Sequence, residues 1–424
     1  MSHFSRGIPL KQERPDEAVL LPSFSSIPVT EKLCDMARYE KVLEGRNLRH
    51  ASLYKADLSQ AQCERADFSM AHLEEANLEK ADLRHARLDE ANLKRANLKQ
   101  ANLERASLVN ADLEEANLEK ANCQHANFYG ANLESAKLNK ADFEKANLTE
   151  ANLSFAEAKD TNFHEVNADR ANFHRIKAEG ADFSKASLRE TDFTWAKLTA
   201  TNFNLADLSK ANMSHAFLTY ATMYGTHMTG ATLKAAWMDF VKGDMIQLTR
   251  ADLSGARIRF GSMRNAHMMQ AKIWGTDFQE TDLYNLEARE CYIRFASFVS
   301  CGLQHANFKA ALIEGGDFRK SKLNFSDFTG ANVVLSDFRG ADLRHCNLSI
   351  SQNLEAKSMF GSIWDQSTKL PRDLSLRKLL PFYTGGGDDL VKLLMLHDGL
   401  SGKAAVELVR SHRIRCPVMC SKYS

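Results

Sequence analysis

A five-residue repeat runs without interruption through most of this 424-residue chain. From Arg46 to Ile350 the sequence divides into 61 consecutive pentads, in which the first residue is small, usually Ala, and the third is large and apolar. The third residue, termed the centre below, is Leu, Phe, Met, Ile or Val in 54 of the 61 pentads. All seven prolines lie outside this stretch. Because proline has no amide hydrogen to donate, their absence suits a continuous ladder of backbone hydrogen bonds.

The period of five excludes both regular alternatives. Five residues of an α-helix advance about 140° beyond a full turn, so successive centres would scatter around the helix and form no face. A flat strand alternates with a period of two and loses phase with the repeat. What remains is a coil in which the small residue and the centre both point inward and the last two residues turn the chain. The repeat therefore predicts an all-β solenoid.

Residues 20 positions apart indicate four pentads per coil. Lys55, Glu75, Arg95 and Glu115 alternate in sign at this interval, and three other columns of charged residues do the same. Opposite charges on adjacent coils are expected to pair. Phenylalanine centres recur at the same interval in two series, Phe143, Phe163, Phe183 and Phe203, and Phe278, Phe298, Phe318 and Phe338. The prediction is a square solenoid of about 15 coils, which at ~4.8 Å per coil is on the order of 70 Å long.

The pentads resemble the pentapeptide repeat family, whose consensus is small, Asp or Asn, Leu or Phe, polar, variable. The resemblance covers about 305 of the 424 residues and implies a right-handed quadrilateral β-helix. The segment Met359–Pro371 resembles the usual family ending, after a one-residue phase slip near Gln352. Glycine occupies the fifth position of only nine pentads, so a single turn type throughout is not expected.

We divide the chain into three regions. Residues 1–45 are expected to be an N-terminal extension with a capping helix at Thr30–Leu43. Residues 46–350 form the β-helix. Residues 351–424 are expected to end the repeat and to form a C-terminal helical cap, with short helices at Asp388–His397 and Gly402–His412. Caps are expected because an open solenoid exposes unpaired strand edges. An alternative is that the C-terminal helices form a module that docks a partner.

Charge and composition exclude several classes of protein. With 55 basic against 54 acidic residues, the chain is not expected to bind nucleic acid. No apolar run is long enough for a membrane span and no signal peptide is evident, so a cytoplasmic location is expected. The eight cysteines do not form a disulfide framework.

No pattern in the sequence indicates catalysis. The inward positions are apolar and the outer walls are expected to be flat, whereas an active site needs converging polar groups in a concave site. We expect no enzyme activity and no cofactor. His412, Cys416 and Cys420 are three possible metal ligands, but a zinc site normally has four with closer spacing, so no metal site is expected either.

Outward-facing aromatic residues are sparse before residue 190 and cluster after it. Tyr220, Phe240 and Phe260 share the fifth position at intervals of 20, so we expect them to stack on one wall. Trp237, Arg259 and Lys242 are expected beside them. Exposed aromatics next to arginine are typical of binding hot spots. Two interpretations are open: the wall binds another protein, or its rings shield the ladder or form a homodimer contact.

The first hypothesis for function is a non-enzymatic scaffold that presents flat β-helix walls to a protein partner. The second is a bacterial effector that is translocated into a host cell and binds a host protein. The third, carried by the family resemblance, is a mimic of DNA that binds DNA gyrase. Such a mimic requires an acidic rod, but residues 46–350 hold 38 basic and 40 acidic side chains. The third hypothesis is therefore the weakest of these.

Overall fold

The computed structural model describes residues 41–372, 374, 391, 394–395 and 399–413. Residues 411–413 are described by their backbone alone. Its repeats form a β-helix with four flat faces. Parallel bridges join the second residue of each pentad to the residue 20 positions further on, from Val42 with Gln62 to Asn332 with Gln352. One coil is therefore four pentads, as the charge columns predicted. We number the four faces by the centre of the first pentad on each: Leu48 for face 1, Leu53 for face 2, Leu58 for face 3 and Cys63 for face 4. Pentads that are 20 residues apart lie on the same face.

Two backbone contacts per pentad hold successive coils together. The Leu78 amide donates to the Asn97 carbonyl of the next coil at 2.7 Å, and the Asn77 amide donates to the Ala56 carbonyl of the preceding coil at 2.9 Å. The first and third residues of each pentad point inward. The centres and the small residues form one continuous hydrophobic core, in which residues such as Leu113 are fully buried.

Every corner is formed by a left-handed residue. The fifth residue of each pentad from Gly45 to Ile350 has φ between 50° and 71°, although most of these residues are not glycine. At most corners the amide of the next pentad also donates to the centre carbonyl, as that of Ala51 does to Leu48 at 3.1 Å. A residue other than glycine pays a steric cost in this conformation, which the ladder on either side offsets.

The turns are not all alike. Three short parallel strands replace the usual corner on face 2: β1 at Lys272–Trp274, β2 at Tyr292–Arg294 and β3 at Leu312–Glu314. They pair in that order, with Ile273 opposite Ile293 and Ile293 opposite Ile313. The backbone stays extended up to the corner residues Gly275, Phe295 and Gly315. The expectation of more than one turn type is confirmed.

Stacked phenylalanines fill the interior where other centres are small. Phe163 stacks on Phe183 with ring centroids 4.5 Å apart, and Phe298 stacks on Phe318 at 4.9 Å. Both predicted series of four are stacked throughout. Phe173 packs edge to face against Phe163 and Phe183. Phe173 is the centre between the alanine centres Ala168 and Ala178 along the chain.

Most polar side chains at the small position find a hydrogen-bond partner inside the solenoid, although the hydroxyl of Ser336 has none. The Thr201 hydroxyl donates to the Ala178 carbonyl at 2.9 Å, and the thiols of Cys291 and Cys301 donate to the carbonyls of Met268 and Phe278 at 2.8 and 2.9 Å. Each acceptor lies 23 residues earlier, at a centre of the preceding coil. Threonine and cysteine therefore replace alanine without leaving an unpaired buried group.

The first coil begins earlier than the sequence indicated. Lys41, Val42 and Leu43 belong to a pentad that pairs with the coil containing Gln62, and the Leu43 amide donates to the Gln62 carbonyl at 2.7 Å. The predicted helix at Thr30–Leu43 is therefore wrong over its last three residues, and the boundary at residue 45 is wrong by one pentad. Residues 30–40 lie outside the described part of the chain.

The β-helix also ends later than residue 350. Ile363 pairs with Asp342 and Lys369 with Asn347, at separations of 21 and 22 residues, so the predicted phase slip after Gln352 is present. A 3₁₀ helix at Ala356–Met359 lies in this irregular stretch. Helix α1 then spans Gly402–Arg413, close to the predicted Gly402–His412.

The described part of the C-terminal region packs on the solenoid. Leu394 is buried and has helical backbone, as predicted within Asp388–His397, and it belongs to the same hydrophobic core as the coils. Ala405 and Val409 of α1 belong to that core as well. These contacts are those of a cap. Whether the region also docks a partner stays an open prediction.

Truncation of one centre tests the packing. Leu113→Ala removes a fully buried side chain from a rigid ladder that cannot collapse around the cavity, so the free energy of unfolding should fall by roughly 2–5 kcal/mol. Leu335→Ala is the matched control, because Leu335 is a corner residue with 65% of its surface exposed. Chemical denaturation measures both. A Leu113→Ala protein that melts within a degree of wild type contradicts the predicted core.

Candidate functional site

Most charged side chains on the β-helix are paired with a neighbouring coil. Lys55 lies 3.3 Å from Glu75, Arg95 lies 2.7 Å from Glu115, and Arg84 lies 3.1 Å from Glu64. Lys94 and Glu114 are 2.9 Å apart. The alternating columns thus pair as the sequence predicted. Because each charge is offset by its neighbour, these columns carry no strong field toward a ligand.

Asparagine columns have the same structural character. The Asn97 amide donates to Asn77 of the preceding coil at 3.0 Å, while the Asn97 side-chain oxygen accepts from the Lys99 amide at 3.2 Å. Asn152 and Asn132 repeat the contact at 3.1 Å. These side chains support the coils and are not free to bind a partner.

The three corner aromatics predicted to form a wall are brought together. Tyr220 and Phe240 stack with centroids 4.9 Å apart and an interplanar angle of 12°, and Phe240 and Phe260 stack at 5.3 Å and 23°. The backbone at each has φ near 60°, which directs the side chain outward from the corner between faces 3 and 4. All three rings are exposed. We call these three residues, together with Trp237 and Arg259, the aromatic wall.

The backbone beneath the aromatic wall is adjusted to its irregular sequence. Val241 occupies the first position of its pentad, where a small residue is usual, and Gly243 occupies the centre, where a large residue is usual. The larger first residue thus offsets the smaller centre. In the next coil, a Cβ on Gly261 would lie 2.8 Å from the Val241 carbonyl oxygen. Gly261 is therefore required for the coil after Phe260 to pass close to Val241.

Trp237 lies on face 3 of the aromatic wall and is held by its column neighbours. The Arg257 guanidinium lies 4.3 Å from the indole centroid, and the Phe217 ring is 5.6 Å away on the preceding coil. Arg259 lies 5.6 Å from the Phe260 ring. Lys242, expected beside the aromatic wall, follows the Phe240 corner on face 4, where it bridges Thr222 and Ser262. Arg257 is thus the cation on Trp237.

A buried carboxylate organises the two arginines. Asp239 is the only charged residue among those described that is buried, and it lies 2.6 Å from Arg257 and 3.1 Å from Arg259. Burial by itself pushes the pKa of Asp239 upward. Hydrogen bonds from Arg259 and Arg257, with the charge of Arg257, outweigh burial and hold the pKa below its usual value. Asp239 is therefore ionised at neutral pH and fixes both guanidinium groups against the rings.

The first ring of the aromatic wall, Tyr220, lies in the part of the repeat with the fewest charges, and the other rings follow directly after it. No Lys, Arg, Asp or Glu occurs between Lys210 and Lys234, a stretch longer than one coil. Depletion of charge with enrichment in aromatic residues and arginine is characteristic of the centre of protein interfaces. The sequence signal for Phe217 and Arg257 was available, since each is 20 residues from Trp237, whereas spacing gave no signal for the buried Asp239.

A second aromatic column occupies the corner between faces 4 and 1. Phe325 stacks between His305 and His345, with centroids 5.0 and 4.5 Å away. The two histidines are two coils apart and cannot share a metal ion. Among the residues described, no group of His, Cys, Asp and Glu side chains is arranged to hold a metal. Cys416 and Cys420, named above as possible ligands of a site that is not expected, lie outside those residues.

The cysteines of the repeat are buried core residues. Burial raises the pKa of the thiols of Cys63, Cys291, Cys301 and Cys346 to about 12, and it also raises the pKa of Cys123. All five are reduced. A thiol that is neither exposed nor ionised is a poor nucleophile.

The repeat pattern assigns the chain to a family. The model of the family described as pentapeptide repeats matches residues 42–165, 169–239, 246–285 and 301–349, which together are well over half of the chain. This protein belongs to the pentapeptide repeat family. No protein of curated function matches the sequence.

Several solved pentapeptide repeat proteins are similar to this one. QnrB1, a plasmid-mediated fluoroquinolone resistance protein, is 20% identical over 47% of this chain and 87% of its own, with a TM-score of 0.26. HetL of Nostoc sp. PCC 7120, involved in heterocyst differentiation regulation, is 21% identical over 73% and 94%, with a TM-score of 0.18. Rfr23 of Cyanothece 51142 is 16% identical over 34% and 90%, with a TM-score of 0.14. The family assignment rests on the repeat pattern and not on these superpositions.

Two of the stretches that the family model does not match contain exposed aromatic residues. The family model omits residues 240–245, which begin with Phe240, and 286–300, which contain Tyr292 and Phe295. The cross-coil bridges continue through both stretches. The side chains depart from the family pattern while the backbone does not. No helix among the described residues has the length and apolar character needed to cross a membrane.

Thiol reactivity tests the burial of the cysteines. In a variant with Cys34, Cys416 and Cys420 changed to Ser, only the five repeat cysteines are left. We expect no reaction with Ellman's reagent at pH 8 in the native state, because these thiols are buried and protonated, and reaction of all five in guanidinium. Wild type serves as the control. Rapid native reaction of any of the five contradicts the assigned burial.

Replacement of Asp239 tests the charged centre of the aromatic wall. Asp239→Asn leaves two arginines without their shared carboxylate and should lower the free energy of unfolding by about 1–3 kcal/mol at pH 7. The folded pKa of Asp239 is below the usual 3.8, so its contribution is present above pH 3.8 and is lost as the pH falls through the folded pKa. The difference between wild type and Asp239→Asn should therefore shrink on acidification below that value.

The control is Asp160→Asn, which removes an exposed carboxylate several coils away. Its effect on unfolding should be small at either pH. Denaturation curves at pH 7 and at the lowest pH where both proteins fold provide the measurement. A difference between wild type and Asp239→Asn that stays constant with pH contradicts the assignment.

Proposed function

We propose that this protein is a non-enzymatic scaffold that binds a protein partner through the aromatic wall of Tyr220, Trp237, Phe240, Arg259 and Phe260. The observation that carries the proposal is an exposed, stacked aromatic ladder beside two arginines held by a buried carboxylate. Elsewhere on the β-helix, outward residues pair mainly with one another. At the aromatic wall, large apolar groups stay exposed, which is uncommon on a surface without a binding role.

The orientation of the rings favours a protein as the partner. Both faces of Phe240 are covered, by Tyr220 on one side and Phe260 on the other. One face of Trp237 is covered by Arg257. A nucleobase binds an aromatic side chain by stacking on its free face. The wall offers ring edges instead, which suit the aliphatic side chains and carbonyl groups of a protein surface.

Arg259 is held in a fixed position beside the rings, ready to contact a partner. Arg259 donates from its side chain to Asp239 at 3.1 Å and lies over the edge of the ladder beside Phe260. Because Asp239 already holds it, little side-chain entropy is lost when a partner binds. Rigid aromatic residues around a fixed arginine are the usual composition of a hot spot.

The alternative functions have less support. A mimic of duplex DNA requires a continuous acidic surface, whereas the acidic columns here alternate with basic ones and pair at 2.6 to 3.6 Å in contacts such as Arg170 with Glu150 and Lys99 with Glu119. A translocated effector is compatible with the same wall binding a host protein. No observation on the described residues favours that role over a partner in the same cell.

Capture of partners by matched variants tests the proposal. Tyr220, Phe240 and Phe260 are changed together to Ser, and the control changes His305, Phe325 and His345 together to Ser, which removes a comparable ladder from another corner. Affinity capture from bacterial and host-cell lysates, quantified by mass spectrometry, compares both variants with wild type. We expect a partner bound by wild type and by the control to be reduced at least tenfold with the wall variant.

Two results would contradict the proposal. One is a partner retained fully by the wall variant, which would place binding at the termini or on another face. The other is a wild-type protein that captures only itself and whose self-association, measured by light scattering, is abolished in the wall variant. That result would identify the aromatic wall as a homodimer contact.

A further inference from the structure

Two tryptophans, each with a cation on its face, lie on either side of one corner. Trp237 on face 3 has the Arg257 guanidinium 4.3 Å from its centroid, and Trp274 on face 2 has the Lys272 ammonium at 3.7 Å. Faces 2 and 3 meet at the corner that contains Gly255 and Gly275. The two indoles are both exposed. They are two coils apart, about 10 Å along the axis.

One extended segment can reach both indoles across this corner. A Cβ built on Gly275 would meet no atom within 4 Å, and one on Gly255 would meet only the Ala235 backbone at 3.9 Å. No bulky side chain on the corner therefore separates the two tryptophans. An extended chain advances about 3.3 Å per residue, so roughly three or four residues cover the distance along the axis.

The charges beside the tryptophans are unequally exposed. Asp252 bridges Lys234 at 3.5 Å and Lys272 at 3.4 Å, but its side chain is 20% exposed, against 53% and 35% for the two lysines. On the other side, Asp239 is 6% exposed and Arg257 is 34% exposed. Asp252 and Asp239 therefore lie beneath their cations. On face 3, however, Asp277 follows Arg257 in the same column and is 35% exposed. The excess of exposed positive charge that a partner meets is therefore on face 2, at Lys234 and Lys272.

We propose that this corner binds an extended segment of a partner protein that carries carboxylates next to apolar side chains. The carboxylates pair with Lys234 and Lys272, and the apolar groups pack against the edges of Trp237 and Trp274. The inference deepens the proposed function, since Trp237 belongs to both surfaces. It adds the chemistry of the partner and extends the interface from face 3 onto face 2.

A displayed library of random 12-residue peptides, selected on the full chain, provides the probe. The peptides that are enriched are synthesised with a fluorescent label and titrated by anisotropy. We expect Asp or Glu adjacent to Leu, Ile, Phe or Trp in the enriched peptides, and binding that weakens with salt because exposed cations contribute. Enrichment of Lys or Arg, or no enrichment over the starting library, overturns the proposal.

Filling the corner tests the location. Gly275→Phe places a ring between the two indoles, and the control Gly330→Phe places the same ring at another corner where a Cβ also meets nothing within 4 Å. Both glycines have positive φ, a conformation that other residues adopt at fifth positions throughout the chain, so both variants should fold. We expect at least tenfold weaker peptide binding for Gly275→Phe and less than a twofold change for Gly330→Phe. Equal effects of the two variants overturn the proposal.

Two further variants complete the design. Trp274→Ser removes an exposed ring and should weaken binding at least tenfold without filling the corner; unchanged binding overturns the proposal. The Tyr220, Phe240 and Phe260 triple Ser variant should retain the peptide within about threefold, because those rings lie on the opposite side of face 3. Peptide binding that survives in this variant while lysate partners are lost separates the two surfaces. Loss of the peptide from it would show that the peptide binds the ladder and not the corner.

Discussion

Amide–carbonyl bonds at a separation of 20 residues tie each coil of this protein to the next, and the other features of the molecule follow from that register. Because the register does not change from Val42 to Gln352, every side chain stacks on the one 20 residues away. A column of alternating charge becomes a row of ion pairs, a column of Asn becomes a row of amide hydrogen bonds, and a column of Phe becomes a stack of rings. The left-handed corner residue belongs to the same constraint, since four corners must close each coil in 20 residues.

Because the register fixes which positions point inward and which point outward, folding constrains the inward residues and leaves the outward residues available for binding. Inward positions must fill a narrow core, whereas outward positions need only tolerate their column neighbours. The residues around Phe240 and Tyr292 depart from the family pattern while their backbone pairing is kept. A surface can therefore change in this fold without a matching change in the core. At the aromatic wall and at the corner of Trp237 and Trp274, exposed rings lie over ion pairs that the columns have kept, such as Asp239 with Arg257 and Asp252 with Lys272.

The sequence alone predicted the solenoid, the four pentads per coil, the ion-pair columns and the phenylalanine stacks, because each depends only on spacing. It also predicted that Tyr220, Phe240 and Phe260 share a column. It did not predict that Asp239 is buried between Arg257 and Arg259, because burial at an outward position depends on the size of neighbouring side chains and not on phase. Lys242 lies on a different face from Trp237, because the corner at Phe240 separates them although only four residues lie between them. The first pentad was missed because Lys41, Val42 and Leu43 were assigned to the end of the predicted helix at Thr30–Leu43. At the end of the rod the long side chain of Lys41 is accommodated at the small position, and the Lys41 ammonium donates to the Ser59 carbonyl at 2.6 Å.

Rigidity sets the kind of interface that such a wall can form. The rings of the aromatic wall are fixed by stacking and by a backbone ladder on both sides, so binding orders little that is not already ordered. The same rigidity means that the wall cannot close around a partner, and its flat shape offers no deep pocket. The partner must then supply the complementary shape, either as a concave surface against the ring edges or as an extended segment along the corner. An interface of this kind derives specificity from the spacing of its columns, about 4.8 Å along the axis, and from the cations that the register places between the rings.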